Sequence, residues 1–517
     1  MVPRIGWRKE EPISRWVTTR AGPRDAGIGE RSEPARLGRR MLHIRLLRST
    51  SAPDAVVVGS GPNGLAAGIT LLEAGRSVLV LEAAEQPGGG LRSEQLTEPG
   101  FRHDVCASVM AFAPVSPFLR RQSLRLLTPP APLAHPLEGD AAVILERSVE
   151  ETAAGLDPPD RAAYGRRLGG LVRGAEAAFA DLLAGPRLPQ LALTGTRFGV
   201  TPLLPAVVLA RHAFQGDRAR ALLAGCSAHG GVALTEPVSA AFGLVLQATA
   251  HAGGWPLARG GSQSVAASLV QRLLQLGGEI RCGERVADVE QLPGRAVLLD
   301  LTPRQVLRLI GSRLGVRYRR GLERYRYGPG AFKLDWALSG PVPWRDLACR
   351  RAATVHLGGT LAEIAAAERD VNQGRHALRP FVIFVQASLF DPSRAPAGRH
   401  SAYAYCHVPN GSAVDMTEAI ERQVERFAPG FRDLVLARSA MSPAALEQHN
   451  PNLVGGDLNG GRQDLRQLFT RPLPRWSPYT TPDPRLYLCG QATPPGGGVH
   501  GMCGYNAARA ALRRTLR

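Results

Sequence analysis

At 517 residues, 44% hydrophobic and 21% charged, the chain exceeds one typical domain and can bury a sizeable core. Its net charge of +19 is almost all arginine, because lysine occurs only at Lys9 and Lys333; gene composition accounts for this bias, with attraction to anionic lipid headgroups as the competing account. Nucleic acid is disfavoured, since the densest basic run (Arg319, Arg320, Arg324 and Arg326, among Tyr318, Tyr325 and Tyr327) reads as a solvated helix or strand edge.

Seven scattered cysteines with no CxxC argue against a zinc site, a redox dithiol or a disulfide scaffold, and suit a reducing cytoplasm. No run of about 18 apolar residues is present, so no membrane span is expected.

Residues 1–52 are arginine-rich but lack the apolar core of a signal peptide. Glu10, Glu11, Asp25, Glu30 and Glu33 also spoil a mitochondrial presequence. A disordered leader is expected there, or a start extended upstream of Met41.

The first ordered unit is predicted from Asp54 onward. DAVVV (54–58) reads as a strand, GSGPNG (59–64) as a tight turn, LAAGITLLEAG as a helix, and SVLVL (77–81) as a second strand ending at Glu82. In this frame Gly59 makes the turn, Gly61 lets backbone approach a pyrophosphate, and Gly64 lets helix pack on strand. The helix start offers free N–H groups to phosphate, Asn63 is a candidate cap, and Glu82 is spaced to accept from a ribose diol. Gly88, Gly89 and Gly90 follow closely, with Arg92 adding charge; the alternative for this cluster is a mobile loop. The extra glycine cluster favours FAD over NAD.

FRHDVCAS (101–108) looks like a strand entering a polar patch, where His103 and Asp104 either face a flavin or form a structural pair. From 116 to 250 the text is Leu/Ala-rich and helical in period, broken by prolines at 129, 130, 132, 158, 159, 186, 189, 202 and 205. Two apolar stretches, 201–210 and 239–250, either pack in the core or line a lipophilic substrate channel or dip into a leaflet. Ser262 is placed to cap a helix whose apolar face is Val265, Leu269, Leu273 and Leu276, stopped by Gly277–Gly278 before a strand at 279–282. Val286 is a candidate backbone partner for adenine. AVLLD (296–300) forms another strand, and Thr302–Pro303 opens a helix. From about 316 to 470 strands alternate (331–338, 380–390, 401–409), with helices near 360–369 and 414–427, which suggests a mostly antiparallel sheet.

The end of the chain supplies strand, loop and helix: LYLC, then Gly490 and Gly496–Gly498, then a helix from about Gly501. A helix N-terminus aimed at the flavin would stabilise the negative charge of its reduced form, with His500 either donating to the flavin or bonded to backbone. No second GxGxxG unit appears, since Gly328-Pro-Gly330 lacks the framing strand and helix, so a built-in NAD(P)H site is not expected.

The pairing of VVVGSGPNGLAAGITLLEAGRSVLVLEAAEQPGGGLRS with LYLCGQATPPGGGVHGMCGYNAARAAL resembles the phytoene desaturase-like flavoproteins, in the branch containing pyridine nucleotide-disulphide oxidoreductase domain-containing protein 2. PGFRHDVCAS, GWPLARGGS, VHLGGTLAEIAAAE, CHVPNGSAVDMTEAIE and NPNLVGGDLNGG leading to Arg471-Pro472 extend the resemblance over about residues 53–515. It implies an α/β fold with a Rossmann-like FAD-binding domain built from discontinuous segments (53–115, 251–305 and 475–517). It also implies an inserted α+β substrate domain (116–250 and 306–474) with a mixed or antiparallel sheet. FAD is the implied cofactor, with no metal. The substrate is implied to be a lipophilic polyene reached from a membrane surface.

The candidate FAD contacts are Gly59, Gly61, Pro62, Asn63, Gly64, Glu82, Ala83, Gly89, Gly90, Arg92, Val286, Gly490, Gly497, Gly498, Val499 and His500. Gln491 stands where many flavoproteins of this class carry Asp, and the stretch from Val286 to Val297 is short. His103, Asp104 and His500 are the candidates for proton handling. An amine-oxidase-like flavoenzyme and a flavin-holding interaction protein are the competing functions.

Overall fold

The computed structural model describes residues 52–185 and 201–517. The expected leader, through residue 51, lies outside them. Five short parallel strands form the nucleotide sheet, in the order Leu486–Leu488, Ala296–Leu299, Ala55–Val58, Val78–Leu81 and Glu279–Arg281. The three central strands are buried along their whole length, which is why each reads as an unbroken apolar run rather than an alternating one.

On one face of this sheet lie the helices Pro62–Glu73, Gln263–Gln275 and Met502–Arg514. The first and last of these helices meet at very short range, since a Cβ on Gly504 would overlap the Asn63 carbonyl oxygen; likewise a Cβ on Gly64 would overlap the carbonyl oxygen of Gly59. Glycine is obligatory at both places, and the contact brings the N-terminal ends of the Pro62 and Met502 helices together. Pro303–Ile310 and Val316–Glu323 cover the opposite face.

A second, seven-stranded sheet runs in the order Val435–Met441, Gly330–Leu338, His400–Val408, Val382–Val385, Ala352–Leu357, Ala131–Leu137 and Asp140–Leu145. Only the Ala352–Leu357 and Ala131–Leu137 pair is parallel. The last two strands correct the helical reading of the segment from 116: Pro132 and Pro136 sit inside Ala131–Leu137, where they interrupt helical period without preventing a buried strand. One face of the sheet packs Trp336, Phe384 and Phe431 beneath the Thr417–Phe427 helix. The other face meets helices Asp217–Ala228, Ser239–Gly253 and Leu361–Asn372.

Ser262 precedes its helix as expected, but its hydroxyl donates to Asp104 (2.9 Å) and accepts no capping hydrogen bond from the helix backbone. Among the described residues, no helix is long and apolar enough to cross a membrane.

Candidate active site

A cavity of about 1000 Å³ runs from the glycine turn at Gly59, past the Gly497–His500 loop, to the second sheet. The two glycine segments therefore share one cleft. Gly59, Gly61, Pro62, Asn63, Glu82, Ala83, Gly89, Gly90, Arg92, Val286, Gly490, Gly497, Gly498, Val499 and His500 all line it. Gly64 does not; it lies behind the turn, packed on Gly59.

At the phosphate end the Pro62–Glu73 helix begins at Gly61 with proline in its first turn and no cap from its own N-cap residue; Gly61 and Asn63 line the cleft there, while the Gly64 amide is taken by the Asp300 carboxyl (2.9 Å). Asn63 is not the cap, and its buried Oδ1 has no hydrogen-bond partner among the described residues. Glu82 accepts from the Ser60 amide (2.8 Å), the Ser60 hydroxyl (2.6 Å) and the Ala84 amide (2.9 Å), which fixes its carboxylate at the end of its strand. Arg92 donates to the carbonyl oxygens of Gly89 (3.1 Å) and His449 (2.6 Å).

One residue here was not anticipated. Asp300, at the tip of Ala296–Leu299, accepts from the Gly64 amide (2.9 Å), and a Cβ on Gly61 would stand 2.7 Å from its Oδ2. Burial pushes the Asp300 carboxyl up to about 7, against the Gly64 hydrogen bond. The signal was present in the sequence as an acid ending an apolar strand, but the spacing gave it no partner.

At the loop end, His500 is fully engaged. Its Nδ1 accepts from the Met502 amide (3.0 Å) and its Nε2 faces the Gly496 carbonyl (3.2 Å), while burial holds the ring down to about 4. The side chain thus ties the loop to the helix start. Behind the loop, the buried Arg471 guanidinium donates to Gln491 O (3.3 Å), Gly461 O and Gln463 Oε1. Those hydrogen-bond partners are uncharged, while its charge acts on the buried Asp457 carboxyl.

His103 and Asp104 do not line the cavity. Asp104 accepts from Ser93, Ser108 and Ser262 and pairs with Arg394 (2.6 Å). Burial pushes this carboxyl up, but Arg394 and the hydroxyls outweigh it and hold it below the usual range. His103 bonds Thr97 (2.8 Å) and faces Asp335 (3.4 Å), which is itself paired with Lys333. These are buried polar contacts that reach from the His103–Asp104 strand to the second sheet, and Asp335 Oδ1 has no hydrogen-bond partner among the described residues.

The far end of the cavity is apolar and aromatic. The Ser239–Gly253 helix turns Phe242, Val245 and Leu246 toward it while Ala240, Ala248 and Ala250 pack into the core, so the stretch both packs in the core and lines the cavity. From the sheet, register aligns Thr354, Val385 and Tyr403 in one row, and His356, Ile383 and Tyr405 in the next. Trp255, His229 and His407 complete the wall. None of these aromatic and histidine residues was singled out from sequence. The period-two pattern Tyr403, Tyr405, His407 was the available signal.

The cleft fits FAD by shape and by its hydrogen-bonding groups: glycine backbone where the dinucleotide passes, an unpartnered acceptor at Asn63 Oδ1, the accepting carboxylate of Glu82 and two helix starts beside the loop. Residues 57–121 match the family model for an NAD(P)-binding Rossmann-like domain. Over 156 residues the chain is 35% identical to pyridine nucleotide-disulfide oxidoreductase domain-containing protein 2 of Rattus norvegicus, a match covering 28% of this chain and 27% of that protein's length. It is 28% identical to the phytoene dehydrogenase of Streptomyces griseus, covering 74% of this chain and 77% of the relative. Among solved structures, an oxidoreductase from Methanosarcina mazei superposes with a TM-score of 0.60 at 15% identity, covering 89% of this chain and 100% of the other. Putrescine oxidase bound to putrescine gives 0.54 at 14%, covering 89% and 99%. These structural likenesses speak to the fold. By sequence the chain is thus similar to phytoene dehydrogenases and desaturases.

Proposed function

We propose that this protein transfers a hydride between the flavin of bound FAD and carbon of an apolar, unsaturated substrate of polyene or isoprenoid type. The observation that carries this is the continuity of one cavity from the dinucleotide cradle to an apolar chamber. Bound FAD would supply the two-electron acceptor, and the protein's part is placement and exclusion of water. Gly61, Asn63, Glu82 and Arg92 hold the dinucleotide end. The Gly497–Val499 loop, backed by the Met502 helix start, favours negative charge near the ring. Phe242, Trp255, Ile383 and Tyr403 surround the substrate with surface that has few hydrogen-bonding groups.

Leu203 and Phe469 line the same cavity yet are 47% and 46% exposed, which supports entry of a lipophilic molecule at that opening. Peripheral contact with a membrane from the cytoplasm, and the division into an FAD domain and an inserted substrate domain at the boundaries given above, belong to the same proposal.

The similarity of fold to putrescine oxidase and the tyrosines beside the chamber favour an amine as the second reading. An anaerobic screen of flavin absorbance separates the two. Bleaching by detergent-dispersed polyenes supports the first; bleaching by amines and by no polyene supports the second.

A further inference from the structure

Two segments of the resembling motifs, AAAE ending at Glu368 and CHVPNG beginning at Cys406, are unexplained by FAD binding. The structure brings them together. His407, on the chamber face of His400–Val408, directs Nδ1 at both carboxylate oxygens of Glu368 (3.0 Å each), which projects from Leu361–Asn372. Both side chains are buried, and His407 lines the cavity. Its Nε2 has no hydrogen-bond partner among the described residues. The chamber therefore holds an imidazole whose inner nitrogen is fixed by a buried acid and whose outer nitrogen is unengaged, the arrangement that orients a general base.

The neighbours locate this pair near the chemistry. Asn459 donates to the His229 carbonyl (3.3 Å), and a Cβ on Gly497 would sit 3.0 Å from the Asn459 carbonyl oxygen, so one residue links the Gly497 loop to the chamber wall. The Asn459 amide donates to Asp457 (2.8 Å), a carboxylate whose charge also acts on His407.

We propose that His407, oriented by Glu368, is the catalytic acid–base residue of the chamber, accepting at Nε2 the proton that leaves carbon during dehydrogenation. This deepens the function proposed above and rests on it for the hydride half of the step. In a saturated –CH2–CH2– link, one C–H electron pair leaves as hydride to the bound flavin, which is the oxidant. The electrons of the C–H bond on the adjacent carbon become the new π bond, and its proton passes to His407. The resulting imidazolium is paired with Glu368 until the proton is released. Reduction of a double bond runs the same steps backwards. Glu368 is a positioning residue, since it acts through the ring.

Of the other titratable groups lining the cavity, His449 also has an unpartnered Nε2, but burial, with Arg92 and Lys333 nearby, pushes its ring down to about 4. His229 shares Nε2 with His356 (2.8 Å), and burial, with repulsion from His407, pushes it down to about 3. Burial pushes the phenols of Tyr403 and Tyr405 up, so neither ionises near neutrality. The Cys106 thiol is driven up to about 11 by burial. His500 has both ring nitrogens engaged. For His407, burial pushes the ring down, but Glu368 outweighs it, with Asp457 adding to the rise, and the net direction is above the ordinary histidine value. The groups facing it are thus the carboxyl groups of Glu368 and Asp457, the His229 ring, the Tyr405 ring at 6.0 Å, and Lys333, already paired with Asp335, one strand away.

The test uses FAD-loaded full chain, with a detergent-dispersed acyclic polyene as the probe. His407→Gln should slow anaerobic bleaching of the flavin by about 10²–10⁴, with FAD content and dithionite reduction unchanged. The wild-type rate should fall as pH drops through the raised histidine value, and Glu368→Gln should move that fall to lower pH. Bleaching of His407→Gln at the wild-type rate overturns the proposal. A second readout needs no substrate: the His407 ring, labelled with carbon-13 and assigned by its loss in His407→Gln, is titrated by NMR before and after dithionite reduction. Its midpoint should rise when negative charge appears on the flavin and fall in Glu368→Gln; an unmoved midpoint overturns the assignment. If the polyene fails to bleach wild type while the midpoint still rises on reduction, the substrate reading falls and the His407 assignment stands.

Discussion

The two ends of the cavity are made of different material. At the phosphate end almost every contact is backbone, and the side chains that matter are mostly absent ones, at Gly59, Gly61, Gly64 and Gly89. At the chamber end the walls are side chains, delivered by strands and helices far apart in sequence. A backbone site tolerates no added atom, whereas a side-chain site grades its losses by the chemistry removed.

That contrast predicts its largest effect at Gly64. Gly64→Val would force a Cβ into the Gly59 carbonyl oxygen, and neither the turn nor the helix can yield without parting the strand from its helix. The expected outcome is loss of about 4 kcal/mol or more of stability, seen as insoluble protein or protein without bound flavin. Full-strength flavin absorbance from this variant would break the backbone description.

Asp300 is a buried titratable side chain at the backbone end, and it makes stability depend on pH. Its folded value of about 7 lies above the ordinary carboxylate value of 3.8. A raised folded value means that its contribution is fully present below pH ~4 and is lost as pH climbs to ~7. In flavin-free protein, Asp300→Asn should remove this slope, gaining on wild type by up to ~4 kcal/mol between pH ~4 and ~7. Denaturant unfolding at several pH values measures the gain; parallel curves for the two proteins would reject a buried, protonated Asp300.

The same contrast explains what the sequence disclosed. The turn, Glu82, the glycines after it and the terminal loop were legible because each acts within a few residues of its neighbours, and the strand–turn–helix frame fixes where they point. The three central strands of the nucleotide sheet were legible for the related reason that buried parallel strands are unbroken apolar runs; the edge strand Glu279–Arg281 was marked instead by the Gly277–Gly278 stop before it. The chamber was not. Glu368 and His407 are 39 residues apart and meet only because a helix crosses the chamber face of one strand. Asp300 and Gly64 are separated by 236 residues. Ala131–Leu137 was hidden by its own prolines, and His103 and Asp104 attracted attention as a polar pair although Arg394, Lys333 and Asp335, all distant in sequence, neutralise them.

A middling effect is expected at Glu82, a side chain working inside the backbone site. Glu82→Ala removes a charged acceptor for the ribose and releases Ser60, so FAD should bind about 10- to 100-fold more weakly, as hydrogen bonds to charged groups contribute about 1.5–3 kcal/mol. Titration of stripped protein with FAD measures this. Unchanged affinity would mean that Glu82 serves only the turn.

The smallest effect belongs to the chamber's opening, where Leu203 and Phe469 remain about half exposed. A fully buried apolar side chain contributes about 1.5–3 kcal/mol, and these can bury only part of their surface against an entering substrate. Leu203→Ser and Phe469→Ser should therefore cost roughly 1 kcal/mol each, a several-fold rise in KM for a lipophilic substrate, with kcat and FAD affinity unchanged. The direction of the split matters more than its size. Substitutions at the opening act before the substrate reaches the aromatic wall, so they should weaken capture and leave turnover alone. A fall in kcat with KM unchanged would place Leu203 and Phe469 on the path of bound substrate, and the opening would then have to lie elsewhere along the cavity.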